Sequence, residues 1–241
     1  MGFNYFGIIE DIYSTKISTK KPCAIRLDGK NVTKNLNIHM FNENQGGFAY
    51  ALIETAKELS KRYHALVFVS TDEIDLIFYD SKFLKDKFNS IKTQKISSLI
   101  SQETFYLFNN KYNYGNIYFD ARTFSMPEDK TTSYIKFRIK STYAVSNTYV
   151  AKRHLPVKQR HRVPLKKVCN LLDNKYPNMN RHYEYFESGF LFFNGQKIDK
   201  DKLLENNILN LDIILDCLEK EEVALIENTN ICDIDFFEDD L

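Results

Sequence analysis

Two apolar segments separated by only four residues constrain the fold of this chain more than any other feature. Residues 65–70 (ALVFVS) and 75–79 (DLIFY) are rich in β-branched and aromatic side chains, the composition typical of strands. The four residues between them are too few for the crossover that parallel strands require. The sequence therefore predicts an antiparallel hairpin.

A helix and a further strand are predicted on each side of the hairpin. Residues 22–27 are a short apolar strand, and residues 48–63 place apolar side chains three to four positions apart, as a helix does. Residues 83–108 form a second helical region, with a slip of the apolar register within residues 91–96 that predicts a break. Residues 116–124 complete the pattern as a last strand.

This order, β-α-β-β-α-β, predicts an α+β fold, a ferredoxin-like antiparallel sheet similar to the palm of polymerases, with additional helices. With 8 Gly and 5 Pro in the chain, no long flexible linker divides it. We therefore expect one palm-like catalytic domain over residues 1–195. An acidic C-terminal extension would follow over residues 196–241.

Three carboxylates are predicted to meet at one edge of this sheet. A right-handed crossover makes the first two strands parallel, so their carboxyl ends lie at the same edge. Asp28 ends the first strand, and Asp72 and Glu73 lie in the turn that ends the second. Carboxylates this close repel one another unless a cation neutralises them, and Mg²⁺ prefers such oxygen ligands. Two ions about 3.5–4 Å apart, with the Gly29 carbonyl as a further ligand, would serve phosphoryl transfer.

Each of these motifs also has an ordinary structural interpretation. Asp-Gly is a common turn dipeptide, and Thr-Asp-Glu suits a polar hairpin tip. The occurrence of both motifs on the expected elements of one sheet favours a catalytic site, and by analogy with palms it favours chemistry on a nucleotide.

The charge of the whole chain is nearly balanced, with 33 Lys and Arg against 32 Asp and Glu. That balance argues against a wholly basic nucleic-acid coat protein but leaves room for a local basic patch. Residues 152–167 contain seven Lys and Arg and no acid. This basic stretch suits contact with a phosphate backbone, although a solvated surface is the ordinary explanation.

The sequence also predicts a cytoplasmic protein with no membrane partner. The 4 cysteines are scattered without a C-x-x-C pair, which favours reduced thiols over a disulfide framework or a zinc site. Residues 1–13 lack the basic region of a secretory signal. No apolar run approaches the roughly 20 residues that span a bilayer.

Five short segments carry a family resemblance. They are residues 24–31 (AIRLDGKN), 70–74 (STDEI), 119–124 (FDARTF), 134–138 (YIKFR) and 186–190 (FESGF). In this order and spacing they resemble the motifs of the tRNA(His) guanylyltransferase superfamily, enzymes that add nucleotides in the 3′-to-5′ direction. The resemblance covers most of the chain and leaves out its acidic C-terminus.

The resemblance implies that nucleotides are added to the 5′ end of a tRNA. Members of this family activate a 5′-monophosphate with ATP or GTP, and the 3′-hydroxyl of an incoming nucleoside triphosphate then attacks the activated end. Two Mg²⁺ ions would be held by Asp28, the Gly29 carbonyl and Asp72, with Glu73 beside them as a catalytic residue. Assembly as a homo-oligomer, a tetramer, is implied in the same way.

Further binding residues follow from the resemblance and from the basic stretch. The nucleotide-binding residues implied by the family are Lys30, Asn31, Thr71, Lys92 and Lys95. One turn apart on a helix, two of these lysines would reach the same phosphates, and a solvated lysine face is the alternative. The predicted tRNA-binding residues are Arg138, Lys152, Arg153, Lys158, Arg160 and Arg162.

Two arginines have structural alternatives. Arg122 follows Asp120 on a strand, which favours a buried structural ion pair over a phosphate contact. For Arg138 a structural role and a phosphate-binding role are equally supported by the sequence.

Departures from the family motifs concentrate on the tRNA side. Residues 41–45 (FNENQ) stand where the family has a Lys-Pro stretch, and residues 143–147 (YAVSN) replace its His-x-x-Asn segment. The metal-binding core is retained while the residues on the tRNA side differ. We therefore favour the guanylyltransferase-like branch, whose members repair truncated 5′ ends, over a dedicated G-adding enzyme.

Two other functions stay open at this point. A palm-type nucleotide cyclase or oligonucleotide synthase, making a signalling nucleotide, would keep Asp28 and Asp72 without needing the basic stretch. An inactive RNA-binding module is the third hypothesis, and the intact acids Asp28, Asp72 and Glu73 argue against it.

Overall fold

The computed structural model describes residues 15–30, 32, 47–113, 115–175 and 184–219. They contain a six-stranded antiparallel sheet with the strand order β4-β1-β3-β2-β5-β6. The strands are β1 (Cys23–Gly29), β2 (Leu66–Ser70), β3 (Glu73–Phe78), β4 (Phe119–Ser125), β5 (Phe190–Phe193) and β6 (Gln196–Lys197).

Helices cover both faces of this sheet. The described helices are α1 (Phe48–Tyr63), α2 (Lys82–Phe88), α3 (Thr93–Asn109), α4 (Thr131–His154), α5 (Val157–Arg160), α6 (Leu165–Lys175), α7 (Glu184–Glu187), α8 (Lys200–Leu204) and α9 (Leu211–Asp216). Within the described part of the chain, every helix is too short or too polar to cross a lipid bilayer.

The predicted hairpin is present, with a tighter turn than expected. β2 and β3 pair antiparallel from Leu66↔Ile77 to Ser70↔Glu73, so only Thr71 and Asp72 form the turn. β1 is also antiparallel to β3. Because β1 and β2 both run against β3, they run in the same direction, and their carboxyl ends share one edge of the sheet as the crossover argument predicts.

The predicted break in the second helical region is confirmed. α2 ends at Phe88, the following residue Asn89 adopts a left-handed conformation with φ of 45°, and α3 begins at Thr93. Backbone hydrogen bonds join the residues between the two helices to the N-terminal segment: Ile17 N donates to the Ile91 carbonyl at 2.9 Å, and Thr93 N donates to the Thr15 carbonyl at 3.0 Å. The two helices are therefore separate, and the connection between them is held by backbone hydrogen bonds.

Each face of the sheet has its own apolar core. Side chains such as Leu27 and Val69 pack with α1 and α3 on one face. On the other face, side chains such as Phe68 pack with Ile135 of α4 and with residues of the C-terminal segment. The buried members from that segment are Ile198, Leu203, Leu209, Ile214 and Cys217.

The C-terminal segment is thus part of the same packed unit. β6 pairs with β5, and residues 198–217 help to cover the sheet, so the packing continues through the expected boundary at residue 195. The boundary rested on acidic composition, whereas the apolar side chains between the acids decide the packing. Residues 220–241, which hold most of the predicted acidic extension, lie outside the described residues.

The second half of α4 forms a small helical appendage with α6. Ala151 and Leu155 pack against Val168 and Leu172 in a cluster separate from the two cores of the sheet. α4 therefore connects the sheet, which its first half covers, to the appendage that carries the basic stretch.

Candidate active site

Three carboxylates converge where β1 ends and the β2–β3 turn begins. Asp28 lies directly opposite Glu73 in the β1–β3 ladder, and Asp72 occupies the turn. Carboxylate oxygens of the three side chains lie within 4.8 Å of one another, and all three residues are half-buried. The structure thus brings together the acids that the sequence predicted at one edge.

Gly29 allows the turn to press directly against β1. Its N–H donates a hydrogen bond of 2.9 Å to the Asp72 carbonyl. A Cβ atom at this position would lie 2.7 Å from Cγ2 of Val32 and 3.3 Å from the Asp72 oxygen, closer than side chains pack. The absence of a side chain at Gly29 is therefore what holds Asp72 near Asp28.

The turn is also supported from below. Thr71 adopts a left-handed conformation with φ of 50°, which is strained for a β-branched residue. The hydroxyl of Tyr185, a buried residue just before β5, donates to the Thr71 carbonyl at 2.7 Å. This contact fixes the backbone that presents Asp72.

The surroundings of Asp72 disfavour its negative charge. Burial raises the pKa of its carboxyl, and the nearby charge of Asp28 raises it further. Both effects make the pair of carboxylates costly without a counter-charge. Oxygen ligands at this spacing suit a divalent hard cation, so the residues present fit Mg²⁺.

Glu73 is held by two arginines. Arg26 of β1 donates to its Oε1 atom, and Arg138 of α4 donates to its Oε2 atom. Each carboxylate oxygen of Glu73 therefore has a cationic partner, whereas Asp28 and Asp72 are the members of the cluster that repel each other.

A buried network lies behind Glu73. The side chain of Arg138 is 3% exposed, and its Nε donates to Asp75 at 2.7 Å; the side chain of Asp75 is fully buried. Tyr134 donates to the other oxygen of Asp75 at 2.5 Å. Burial raises the pKa of Asp75, and the hydrogen bond from Tyr134 partly opposes that rise; burial also lowers the pKa of Arg138.

Comparison with known families decides what kind of protein carries this site. A family model described as tRNAHis guanylyltransferase matches residues 3–127, just over half of the chain. The chain belongs to the tRNAHis guanylyltransferase family. As a member of this family it is a nucleotidyltransferase.

Solved structures of guanylyltransferases share the fold. A bacterial tRNA(His) guanylyltransferase-like protein in complex with ATP aligns with a TM-score of 0.62 and 22% identity, over 78% of this chain and 86% of that chain. Another, in complex with GTP, has a TM-score of 0.50 and 25% identity over 64% and 79%. The enzyme from Saccharomyces cerevisiae has a TM-score of 0.61 and 20% identity over 82% and 95%. No curated protein matches the sequence.

The predicted nucleotide-binding residues of this guanylyltransferase-family chain lie in two places, some beside the acids and some at the start of α3. Lys30 is exposed directly after β1, Thr71 forms the turn, and Asn31 lies outside the described residues. Lys92 precedes α3 as its N-terminal cap, so it is not part of the helix as predicted, and Lys95 is exposed in the first turn.

Lys92 and Lys95, at the start of α3, lie away from the carboxylates. Ser97 hydrogen-bonds Thr123 at 2.6 Å, and Ser101 donates to the Phe119 carbonyl, so α3 runs antiparallel to β4. Since Phe119 pairs with Gly29, the start of α3 lies near the opposite end of β4. α3 also covers the sheet face that Asp28 does not share.

The two arginines with structural alternatives differ in burial. The Asp120–Arg122 pair at 3.4 Å is exposed, with 69% of the Arg122 side chain accessible, so the expected burial is wrong. It lies on the edge strand, where neighbouring structure leaves this face open. Arg138 is the buried structural arginine, and this placement is at odds with its predicted contact to tRNA.

The basic stretch lies on the helical appendage. Lys152 is exposed near the end of α4, and Lys158 of α5 and Arg162 are exposed beyond it. Arg160 is half-buried and donates from Nε to the Leu155 carbonyl at 3.1 Å. The side chain of Arg153 lies outside the described residues. Along α4, Lys152 is about 21 Å from Arg138, given a rise of about 1.5 Å per residue.

Sequence reasoning missed the residues that support the acids. Arg26, Asp75 and Tyr134 all contact the network, and Tyr185 supports the turn. One signal was available for Arg26 and Asp75, because charged residues within apolar strands are rare unless they are paired. No comparable signal marks the two tyrosines.

Proposed function

We propose that this protein adds nucleotides to the 5′ end of tRNA in the 3′-to-5′ direction, after activation of the 5′-phosphate by ATP or GTP. The observation that carries the proposal is the cluster of Asp28, Asp72 and Glu73 in a member of the tRNAHis guanylyltransferase family. Family membership supports the reaction class, and the cluster supports an active enzyme over an inactive RNA-binding module.

We further propose that β1 to β4 and their helices form a ferredoxin-like, palm-like catalytic unit. The order β4-β1-β3-β2 within the sheet supports this description, as does the position of the acids where β1 ends beside the hairpin. The proposed catalytic unit over residues 1–195 is completed by the packed segment that follows it.

The proposed metal ligands are Asp28, the Gly29 carbonyl and Asp72. Among the four carboxylates of the site, Glu73 and Asp75 are balanced by Arg26 and Arg138. The other two retain a formal charge of about −2, as a divalent ion requires. When bound, two Mg²⁺ ions supply activation of the attacking hydroxyl and stabilisation of the leaving pyrophosphate.

The chain's own residues then orient the reactants. The Gly29–Asp72 contact and the Tyr185 support keep the acids at fixed spacing, and the two arginines fix the carboxylate of Glu73 beside them. Complexes of bacterial relatives with ATP and GTP support nucleoside triphosphates as substrates. Thr71 and Lys30 are proposed to contact the nucleotide beside the acids, and Lys92 and Lys95 to bind a separate triphosphate.

The remaining features of the proposal concern partners and location. We propose tRNA as the macromolecular substrate, a homo-oligomer as the assembly, and the cytoplasm as the location. Repair of truncated 5′ ends is preferred to addition of a single G because the residues on the predicted tRNA side depart from the family motifs.

One incubation tests the proposed reaction. The full chain is mixed with Mg²⁺, labelled nucleoside triphosphate and either 5′-monophosphorylated tRNA or no RNA. Label joined to the tRNA is the expected result. A new small nucleotide formed without RNA would instead identify a cyclase or oligonucleotide synthase, and no product in either mixture would leave an inactive RNA-binding module.

The basic stretch should make tRNA binding steeply dependent on salt. Each phosphate contacted contributes a slope of roughly −0.7 to −0.9 to log K against log salt, because bound counterions are released. Replacing Lys158 and Arg162 together with Gln should flatten the slope by about 1 to 2. Fluorescence anisotropy with labelled tRNA at several salt concentrations measures it.

The matched control removes two exposed lysines elsewhere, Lys82 and Lys85 of α2. That double variant should keep the parent's slope. An unchanged slope in the Lys158 and Arg162 variant would remove the appendage from the tRNA path.

A further inference from the structure

A strip of surface beside the carboxylates is formed jointly by edge strand β4 and the first half of α4. We call it the β4–α4 strip, and its residues are Asp120, Arg122, Phe124, Tyr134 and Phe137. The first three come from edge strand β4, and the last two from the first half of α4. Single exposed apolar side chains are ordinary, but exposed aromatic rings that cluster beside an active site indicate an interaction surface.

The strip lies on the same sheet face as the acids. Directly opposed residues of an antiparallel pair point to one face, and Asp120 lies opposite Asp28. Since side chains alternate along a strand, Arg122 and Phe124 continue this face away from Asp28. The strip is therefore a direct extension of the catalytic surface.

The aromatic rings of the strip form a supported platform. Tyr134 is fixed by its hydrogen bond to Asp75, and its ring lies 5.6 Å from that of Phe124 and 6.5 Å from that of Phe137. Phe124 is 37% exposed and Phe137 is 56% exposed. Rings held in this way present flat faces without the entropy cost of ordering a mobile side chain.

The wall of the strip belongs to a strongly cationic part of the chain. Residues 130–172, which include all of α4, contain eleven Lys and Arg and no acid. Phe137 is flanked by Lys136 and Arg138, and Lys140 follows one turn later. The exposed Asp120 is balanced by Arg122 at 3.4 Å. Aromatic rings beside a basic helix are the combination that binds single-stranded nucleic acid.

We infer that the β4–α4 strip binds the first nucleotides of the RNA substrate, with bases stacked on Phe137 and Phe124. The inference rests on the proposed function, since it places the RNA end whose 5′-phosphate reacts at the acids. The exposed lysines Lys136 and Lys140 beside the rings favour RNA over a second protein surface as the occupant.

The geometry sets which nucleotides stack. Phe124 lies four residues along β4 from Asp120, or about 14 Å at about 3.4 Å per residue. Phe137 is adjacent to Arg138, which contacts Glu73, so it lies nearer to the acids. With a rise of about 3.4 Å per nucleotide along a stacked strand, the two rings are reached by roughly the second to fifth nucleotide.

A fluorescent base tests this placement. The probes are 5′-monophosphorylated RNA oligonucleotides of twelve nucleotides with 2-aminopurine at the second, third, fifth or tenth position, titrated with the full chain and Mg²⁺. We expect strong quenching at the second to fifth positions and weak quenching at the tenth. Phe137→Leu should weaken RNA binding by about 5- to 100-fold, and Phe124→Leu by a smaller factor in that range, with the position-dependent quenching lost.

The control is Tyr106→Leu on α3, since Tyr106 is 58% exposed and lies on the helix that covers the opposite sheet face. It should bind and quench as the parent does. Binding of Mg²⁺ and a nucleoside triphosphate without RNA should be unchanged in all three variants, because the acids are untouched.

The outcomes separate this inference from the proposed function. The parent could bind Mg²⁺ with nucleotide and add the nucleotide to tRNA while the quenching does not depend on position or on Phe137. In that case the β4–α4 strip does not bind the first nucleotides of the RNA. If sedimentation shows that Phe137→Leu dissociates an oligomer of the parent, the strip is a protein interface and the inference is wrong. Failure of the proposed function appears separately, as a parent that adds no nucleotide.

Discussion

Asp28→Asn and Asp72→Asn should each lower the rate of nucleotide addition to tRNA by about a thousand-fold or more, while the protein stays folded. Loss of a metal ligand removes several kcal/mol of transition-state stabilisation, and each 1.36 kcal/mol is about tenfold in rate. The fold should tolerate the change because the two carboxylates repel each other without a cation, and burial with Asp28 nearby already raises the pKa of Asp72. Single-turnover assays with labelled nucleoside triphosphate measure the rate.

A second readout separates loss of metal from loss of structure. Mg²⁺ with nucleotide should raise the melting temperature of the parent but not of either variant, because only a bound ligand stabilises the native state. Asp86→Asn is the control, since Asp86 is an exposed aspartate on α2, outside the proposed site. It should retain near-parent activity. A normal rate in Asp28→Asn or Asp72→Asn would refute the assignment of metal ligands.

Arg138→Gln should be the most destabilising of the charge-removing substitutions at the site, by about 3–5 kcal/mol in the free energy of unfolding. The substitution leaves fully buried Asp75 without its cation and removes one of the two partners of Glu73. Arg138→Lys should recover only part of the loss, since an ammonium cannot reproduce the two directed contacts of the guanidinium. Urea unfolding curves of the full chain measure these differences.

The pH dependence and two control variants make the Arg138 prediction specific. Burial raises the pKa of Asp75. Without Arg138, the loss in the free energy of unfolding should grow as pH rises through the raised pKa of Asp75, because the unpaired carboxyl of Asp75 must then ionise. The loss should shrink as pH falls. Arg138→Gln combined with Asp75→Asn should be more stable than Arg138→Gln alone. Arg122→Gln, at the exposed pair, should change stability by at most about 1 kcal/mol. An Arg138→Gln protein that unfolds at the parent's urea midpoint would contradict the network.

The parts of the fold that were predictable from the sequence are those set by local patterns. Apolar spacing located α1 at Phe48–Tyr63 and the break between α2 and α3, and the hairpin followed from the short linker between two strand-like segments. The meeting of Asp28 with Asp72 followed from strand direction, which a right-handed crossover determines. The tRNAHis guanylyltransferase family was also identifiable from five short motifs.

What sequence reasoning missed depends on how distant elements pack. The exposure of Arg122 and the burial of Arg138 depend on where α4 crosses the sheet: it covers β3 and leaves edge strand β4 open. Local sequence contains no signal for that crossing. The same applies to Lys95, because periodicity predicts a helix but does not say that α3 begins at the end of β4 remote from the acids. The composition of residues 196–219 drew attention to their charges, whereas Ile198 and Ile214 determine where the segment packs.

The double pairing of β1 restricts how its length can vary. β1 is hydrogen-bonded to β3 on one side and to β4 on the other. Leu27 points into the core under α1, and Asp28 points to the opposite face, where it belongs to the carboxylate cluster. Inserting or deleting one residue would exchange these directions, burying a carboxylate among apolar side chains and placing a leucine at the metal site. Single replacements in β1 act one position at a time, whereas an insertion or deletion changes both faces at once. Among relatives of this chain, differences in length should therefore fall outside residues 23–29 and concentrate in connections such as residues 110–118.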